Sequence, residues 1–104
     1  MGVALHVNSN DNVATVFIND VTAGTMIPVK DVAGEMLEIT VNQAIPYGHK
    51  TAINPIKTGE PIIKYGEQIG LATSDIAVGD WVHIHNLESA RGRGDWARKE
   101  GEEL

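Results

Sequence analysis

The chain has 104 residues and a formal charge of −6, with 42% apolar residues, 5% aromatic residues and no cysteine. That length supports one hydrophobic core and is too short for two ordinary domains, and the core must be built mainly from Val, Ile, Leu and Ala. The acidic balance argues against a nucleic-acid backbone as the principal partner, and the missing thiols exclude disulfides, thiolate nucleophiles and cysteine-held zinc or iron–sulfur centres.

At the amino terminus, Met1-Gly2-Val3-Ala4-Leu5-His6 has no basic segment followed by an apolar run of signal-peptide length. No apolar run approaches the roughly 20 residues that span a bilayer, so a cytoplasmic protein with no membrane partner is the expectation. Residues 3–7 and 13–18 read as strands rich in β-branched side chains, separated by Asn8-Ser9-Asn10-Asp11-Asn12, a hairpin candidate whose side chains can bond nearby backbone.

A turn device then recurs in Val21-Thr22-Ala23-Gly24-Thr25-Met26-Ile27, Ile56-Lys57-Thr58-Gly59-Glu60-Pro61-Ile62 and Ile76-Ala77-Val78-Gly79-Asp80-Trp81-Val82. Each places Gly three positions after one apolar residue and three before the next, which predicts a corner with glycine at positive φ leading into a strand. Asp31-Val32-Ala33-Gly34 reads as a turn or a single helical turn. Residues 36–41 alternate apolar and polar from Leu37 onward, the pattern of a strand with one buried face.

Residues 49–54, 61–64, 68–73 and 81–87 are four further strand candidates, and Pro28, Pro46, Pro55 and Pro61 are expected at strand edges or starts. The expected class is mostly β, a single domain of short bent strands over residues 1–87. From Glu88 a charged tail, 88–104, takes over, in which Asp95 could cap a short helix beginning at Trp96; otherwise it is expected to be mobile unless a partner orders it.

Three of the four histidines lie between Ile45 and Asn86. In a strand, His83 and His85 would share one face while Ile84 pointed into the core, and two neutral imidazoles on one face make half of a divalent-metal site. Two ordinary surface histidines is the plainer alternative. His49 follows Gly48 and precedes Lys50, joining a group suited to acid–base chemistry to one that can stabilise developing negative charge. Arg91 and Arg93 could clamp a carboxylate or sulfonate through paired guanidinium hydrogen bonds, or could belong to a solvated linker. His6 has no comparable company and reads as structural.

The motifs Ile45-Pro-Tyr-Gly-His-Lys, Ile63-Lys-Tyr-Gly-Glu-Gln-Ile-Gly and Val82-His-Ile-His-Asn-Leu, in this order, resemble the small SAF-type domain of the altronate dehydratase family. The family includes altronate and galactarate dehydratases, with the domain at the start of a longer enzyme, and sulfolactate sulfo-lyase, where it is a separate small subunit. The resemblance implies a β-clip fold and a lyase whose large catalytic subunit is another chain, with the amino-terminal domain of a longer dehydratase, cut short, as the alternative. It also implies a small anionic sugar acid or sulfonated hydroxy acid as substrate, and iron(II) or manganese(II) held mainly with the large subunit. On that reading His83 and His85 are metal or substrate contacts, His49 and Lys50 carry catalytic roles, and Arg91 and Arg93 hold substrate. A non-catalytic carbohydrate-binding module, or a subunit that only stabilises its partner, stays open.

Overall fold

Gly24, Gly48, Gly59 and Gly79 have φ values of 88°, 83°, 87° and 91° in the computed structural model, which describes residues 2–89. Each is the third residue of a four-residue turn closed by a backbone bond from the fourth residue to the first: Thr25 to Thr22, His49 to Pro46, Glu60 to Lys57 and Asp80 to Ala77, at 2.9–3.1 Å. A positive φ at the third position is what a type II turn requires, and glycine supplies it without a Cβ penalty. Each glycine N–H then donates to a residue on a neighbouring stretch, whose own N–H returns to the carbonyl following the glycine. Val41, Val16, Ala72 and Ala52 are held in this way by the four corners in chain order. The apolar–Gly–apolar pattern predicts three corners; the fourth runs from Ile45 to Thr51 and ends in a buried hydroxyl that donates to the Asp80 carbonyl.

Among the described residues the corners join nine strands: β1 (Val3–His6), β2 (Val13–Phe17), β3 (Met26–Asp31), β4 (Met36–Thr40), β5 (Lys50–Ala52), β6 (Pro61–Lys64), β7 (Glu67–Ala72), β8 (Trp81–Val82) and β9 (Leu87–Ser89). Six form a sheet in the order β4-β3-β1-β2-β5-β8, and β6-β7-β9 form a second. The pairing is antiparallel except between β1 and β3. Isolated bridges tie the corners in pairs, Val21 with Ile45 and Ile56 with Ile76. This is the mostly β architecture of short bent strands that the sequence predicts and that agrees with the β-clip implied by the resemblance, and among the described residues no helix is long and apolar enough to cross a membrane.

Two apolar clusters fill it. One gathers Val16, Ile18, Ile27, Val29, Ile39 and Ile45 with their neighbours; the other gathers Val13, Ile56, Ile62, Ile76 and Val82. The buried Asp11 carboxylate joins the 8–12 loop to the second sheet, accepting the N–H groups of Asn8, Tyr65 and Gly66 at 3.2, 2.9 and 2.7 Å. Tyr65 and Gly66, with φ of 55° and 78°, form the two-residue reversal between β6 and β7, as a type I′ hairpin demands.

Several local expectations differ. The 81–87 strand is interrupted, because β8 ends at Val82 and residues 83–86 form a turn. Leu37 is exposed although Ile39 and Val41 on the same alternation are buried, since β4 is the edge strand of its sheet. Pro28 lies inside β3 rather than at its edge; the ladder with β1 starts one residue later, at Val29. Asp31–Gly34 is a turn, with the Asp31 carboxylate accepting the N–H groups of Ala33 and Glu35. Arg91, Arg93, most of the charged tail and the helix expected from Trp96 lie outside the described residues.

Candidate functional site

At three of the glycine corners the fourth residue's side chain caps the first residue's N–H. Thr25 Oγ1 accepts from Thr22, Glu60 Oε1 from Lys57 and Asp80 Oδ2 from Ala77, at 3.4, 2.8 and 2.8 Å. The remaining corner begins with Pro46, which has no N–H, and its fourth residue is His49. The imidazole therefore has no turn to cap. Its Nδ1 instead accepts a hydrogen bond from the indole Nε1 of Trp81, at 3.2 Å.

Trp81 is firmly placed. Successive side chains of β8 point opposite ways, so Val82 fills the second apolar cluster while Trp81 packs against the first. The Trp81 N–H donates to Gln43 Oε1 at 2.8 Å, and its carbonyl accepts from Asn86 Nδ2 at 2.9 Å. The buried Asn86 also folds the segment that follows: its Oδ1 accepts the His83 N–H at 3.0 Å, and its own N–H donates to the His83 carbonyl at 3.1 Å.

That turn lays two imidazoles against the indole. The His83 ring is stacked on Trp81, 5.5 Å between centroids and 8° between planes, and the His85 ring lies 5.0 Å away at 44°. His49 is 4.5 Å from His83 and 5.8 Å from Trp81. The sequence reading is corrected in one respect: Ile84 does not point into the core but is 82% exposed at the tip of the turn. His83 and His85 gather through the indole rather than through strand alternation.

Burial beside these rings, and then the positive charge of His49, Lys50 and His85, hold the His83 imidazolium below its ordinary range. The neutral form of the His83 ring is favoured over the imidazolium. Burial, then the neighbouring Lys64, lowers Lys50 as well. Burial would raise the Asp80 carboxyl, but bonds from Ala77, Asn42 and Gln43 and the charge of His85 outweigh it and hold it low. Three imidazoles and a lysine thus share a small rim on an acidic chain. A groove of about 540 Å³ lined by Asn19, Asp20, Pro46 and Tyr47 reaches the indole.

The described residues do not by themselves fit a divalent ion. No three His, Asp or Glu side chains among them converge on one point, and Nδ1 of His49 is already engaged. Trp81 carries no chemical signal in the sequence beyond its place after a glycine corner. The signal that could have found it is the substitution of Pro and His for the N–H donor and oxygen acceptor that the other corners use.

Short bent strands joined at glycine corners make a small domain of the SAF type, as the family match shows. The chain belongs to the altronate/galactarate dehydratase SAF domain family, whose pattern matches residues 3–90. It is 37% identical over 86 residues to the (2R)-sulfolactate sulfo-lyase subunit alpha of Chromohalobacter salexigens, a match covering 81% of this chain and 90% of that protein. It is 39% identical over 85 residues to the altronate dehydratase of Escherichia coli, covering 82% of this chain and 16% of that enzyme. The galactarate dehydratase (L-threo-forming) of Escherichia coli is 39% identical over 80 residues, covering 75% and 14%. The same domain thus makes up nearly all of a small subunit in one relative and a minor part of the chain in the others.

Proposed function

We propose that this chain is the small subunit of a two-chain lyase of the altronate and galactarate dehydratase type, and that its imidazole rim completes an active site whose larger part lies on the partner. The observation that carries the reading is the convergence of His49, His83 and His85, from two separated stretches of chain, around Trp81, with Lys50 close enough to act on the charge of His83.

The chemistry is elimination from an anionic 2-hydroxy acid. A base removes the proton at C2, the freed electron pair becomes the C2–C3 double bond, and the bond from C3 to its substituent breaks. Hydroxide leaves as water once protonated, and the enol that remains tautomerises to a 2-keto acid. Neutral His83 suits proton acceptance, and the Lys50 ammonium suits a carboxylate and the negative charge that builds on it. Any divalent ion, iron(II) or manganese(II) by resemblance, sits mainly on the large subunit in this reading, and Arg91 and Arg93 would hold the acid group from the tail.

A second reading keeps the same steps with sulfite leaving from C3. It is favoured by the match to nearly the whole of a separate sulfo-lyase subunit alpha. Co-expression with a large dehydratase-type chain of the same organism tests both: a stable complex should form and release a keto acid from altronate, galactarate or (2R)-sulfolactate. A chain that forms no complex, or a complex that turns over none of the three, contradicts the proposal.

A further inference from the structure

We infer that Trp81 is a positioning residue that holds His49 in the tautomer with its hydrogen on Nε2, so that this imidazole faces the reactants as a neutral hydrogen-bond donor. The inference rests on the catalytic reading of the rim for its consequence, but not for the hydrogen bond itself.

An indole nitrogen can only donate. With Trp81 Nε1 at 3.2 Å from His49 Nδ1, that ring nitrogen must present its lone pair, and the hydrogen of the neutral ring belongs on Nε2. The first residue of the His49 turn is a proline, so no backbone N–H of that residue competes for the same lone pair. The Trp81 backbone is fixed by Gln43, by Asn86 and by its pairing with Thr51 across β5 and β8, and its side chain packs on the first apolar cluster. The direction of the donor is therefore set before any partner or substrate arrives.

His49 offers Nε2–H to an oxygen of the substrate, stabilising charge on it without giving up its own proton. In this tautomer Nε2 carries a hydrogen and Nδ1 is engaged, so His49 works as a donor and not as an ion ligand.

Heteronuclear NMR of the isolated chain reads this directly, because correlations from the ring protons distinguish an unprotonated ring nitrogen from a protonated one. The expected spectrum has His49 Nδ1 unprotonated and Nε2 protonated, with a scalar coupling between His49 Nδ1 and Trp81 Nε1 across the hydrogen bond. The opposite tautomer, or no such coupling, overturns the inference without any variant having to fold. Trp81→Phe keeps a ring and removes the N–H; in it His49 should average between both tautomers, and kcat of the assembled enzyme should fall roughly tenfold to a hundredfold with little change in KM. An unshifted tautomer, or full kcat despite a shifted one, refutes the positioning role. If the wild-type complex shows no turnover, the lyase reading fails while the tautomer measurement still decides the hydrogen bond.

Discussion

Pro46 and His49 stand at the first and fourth positions of one glycine turn, and the N–H that Pro46 lacks is the one that the corresponding side chains Thr25, Glu60 and Asp80 cap at the other corners. The sequence thereby releases one side chain of a repeated structural device for other use. Replacing Pro46 by Ala restores a competing donor. We expect Pro46→Ala to unfold within about 1 kcal/mol of wild type, because the turn still has Gly48 in its third position. Turnover of the assembled enzyme should fall by between about threefold and tenfold as the imidazole is drawn toward the backbone. Unaltered turnover would mean that Trp81 alone decides where His49 points.

The lowered His83 fixes a direction for the pH dependence of stability. Its folded-state pKa lies below the ordinary imidazole value of about 6.5, so between the two values the unfolded chain binds more protons than the folded one. Stability is then present above about pH 6.5 and is lost as the pH falls below it. The groups facing His83 are His49, Lys50 and His85, all of which penalise its charge. The lowered Asp80 acts in a separate window, its contribution disappearing only as the pH falls through the carboxylate range. Urea midpoints measured between about pH 5 and 8 should decline on the acid side for wild type, and decline less steeply for His83→Gln. Equal slopes would contradict the electrostatic account of the rim.

Asp11 holds a loop and a hairpin together from inside the protein, with three backbone donors on one buried carboxylate. In Asp11→Ala those donors lose their acceptor, and we expect a loss of about 2–4 kcal/mol in chemical denaturation. Asp11→Asn retains an acceptor oxygen but turns an NH₂ toward an N–H, and should fall between. A loss below about 1 kcal/mol for the alanine variant would show that these bonds are replaced by water at little cost.

Much of the fold is written locally. Gly24, Gly59 and Gly79 announce their corners by spacing alone, and the β-branched runs around them mark the strands. The Gly48 corner escapes the same pattern because it ends in Thr51, whose polarity is offset by a bond to the Asp80 carbonyl that arises only in the folded chain. His83-Ile84-His85 has the period of a strand, yet the amide of Asn86 closes it into a turn; Asn is a turn former, but nothing local says that its side chain will reach Trp81 and His83. The rings gather all the same, for a reason of tertiary packing: Trp81 sits between the corner that carries His49 and the turn that carries His83 and His85. The guanidinium groups of Arg91 and Arg93 lie outside the described residues, so the rim is built from the imidazoles and Lys50.

The central claim is that the imidazole rim takes part in elimination and does more than stabilise a partner. Turnover of the complex carrying His83→Ala and His85→Ala together, at saturating substrate and with assembly verified, tests it most directly. The account predicts a fall of at least roughly 100-fold in kcat with the complex intact. A complex that forms normally and turns over at the wild-type rate would contradict it and leave the chain a structural subunit.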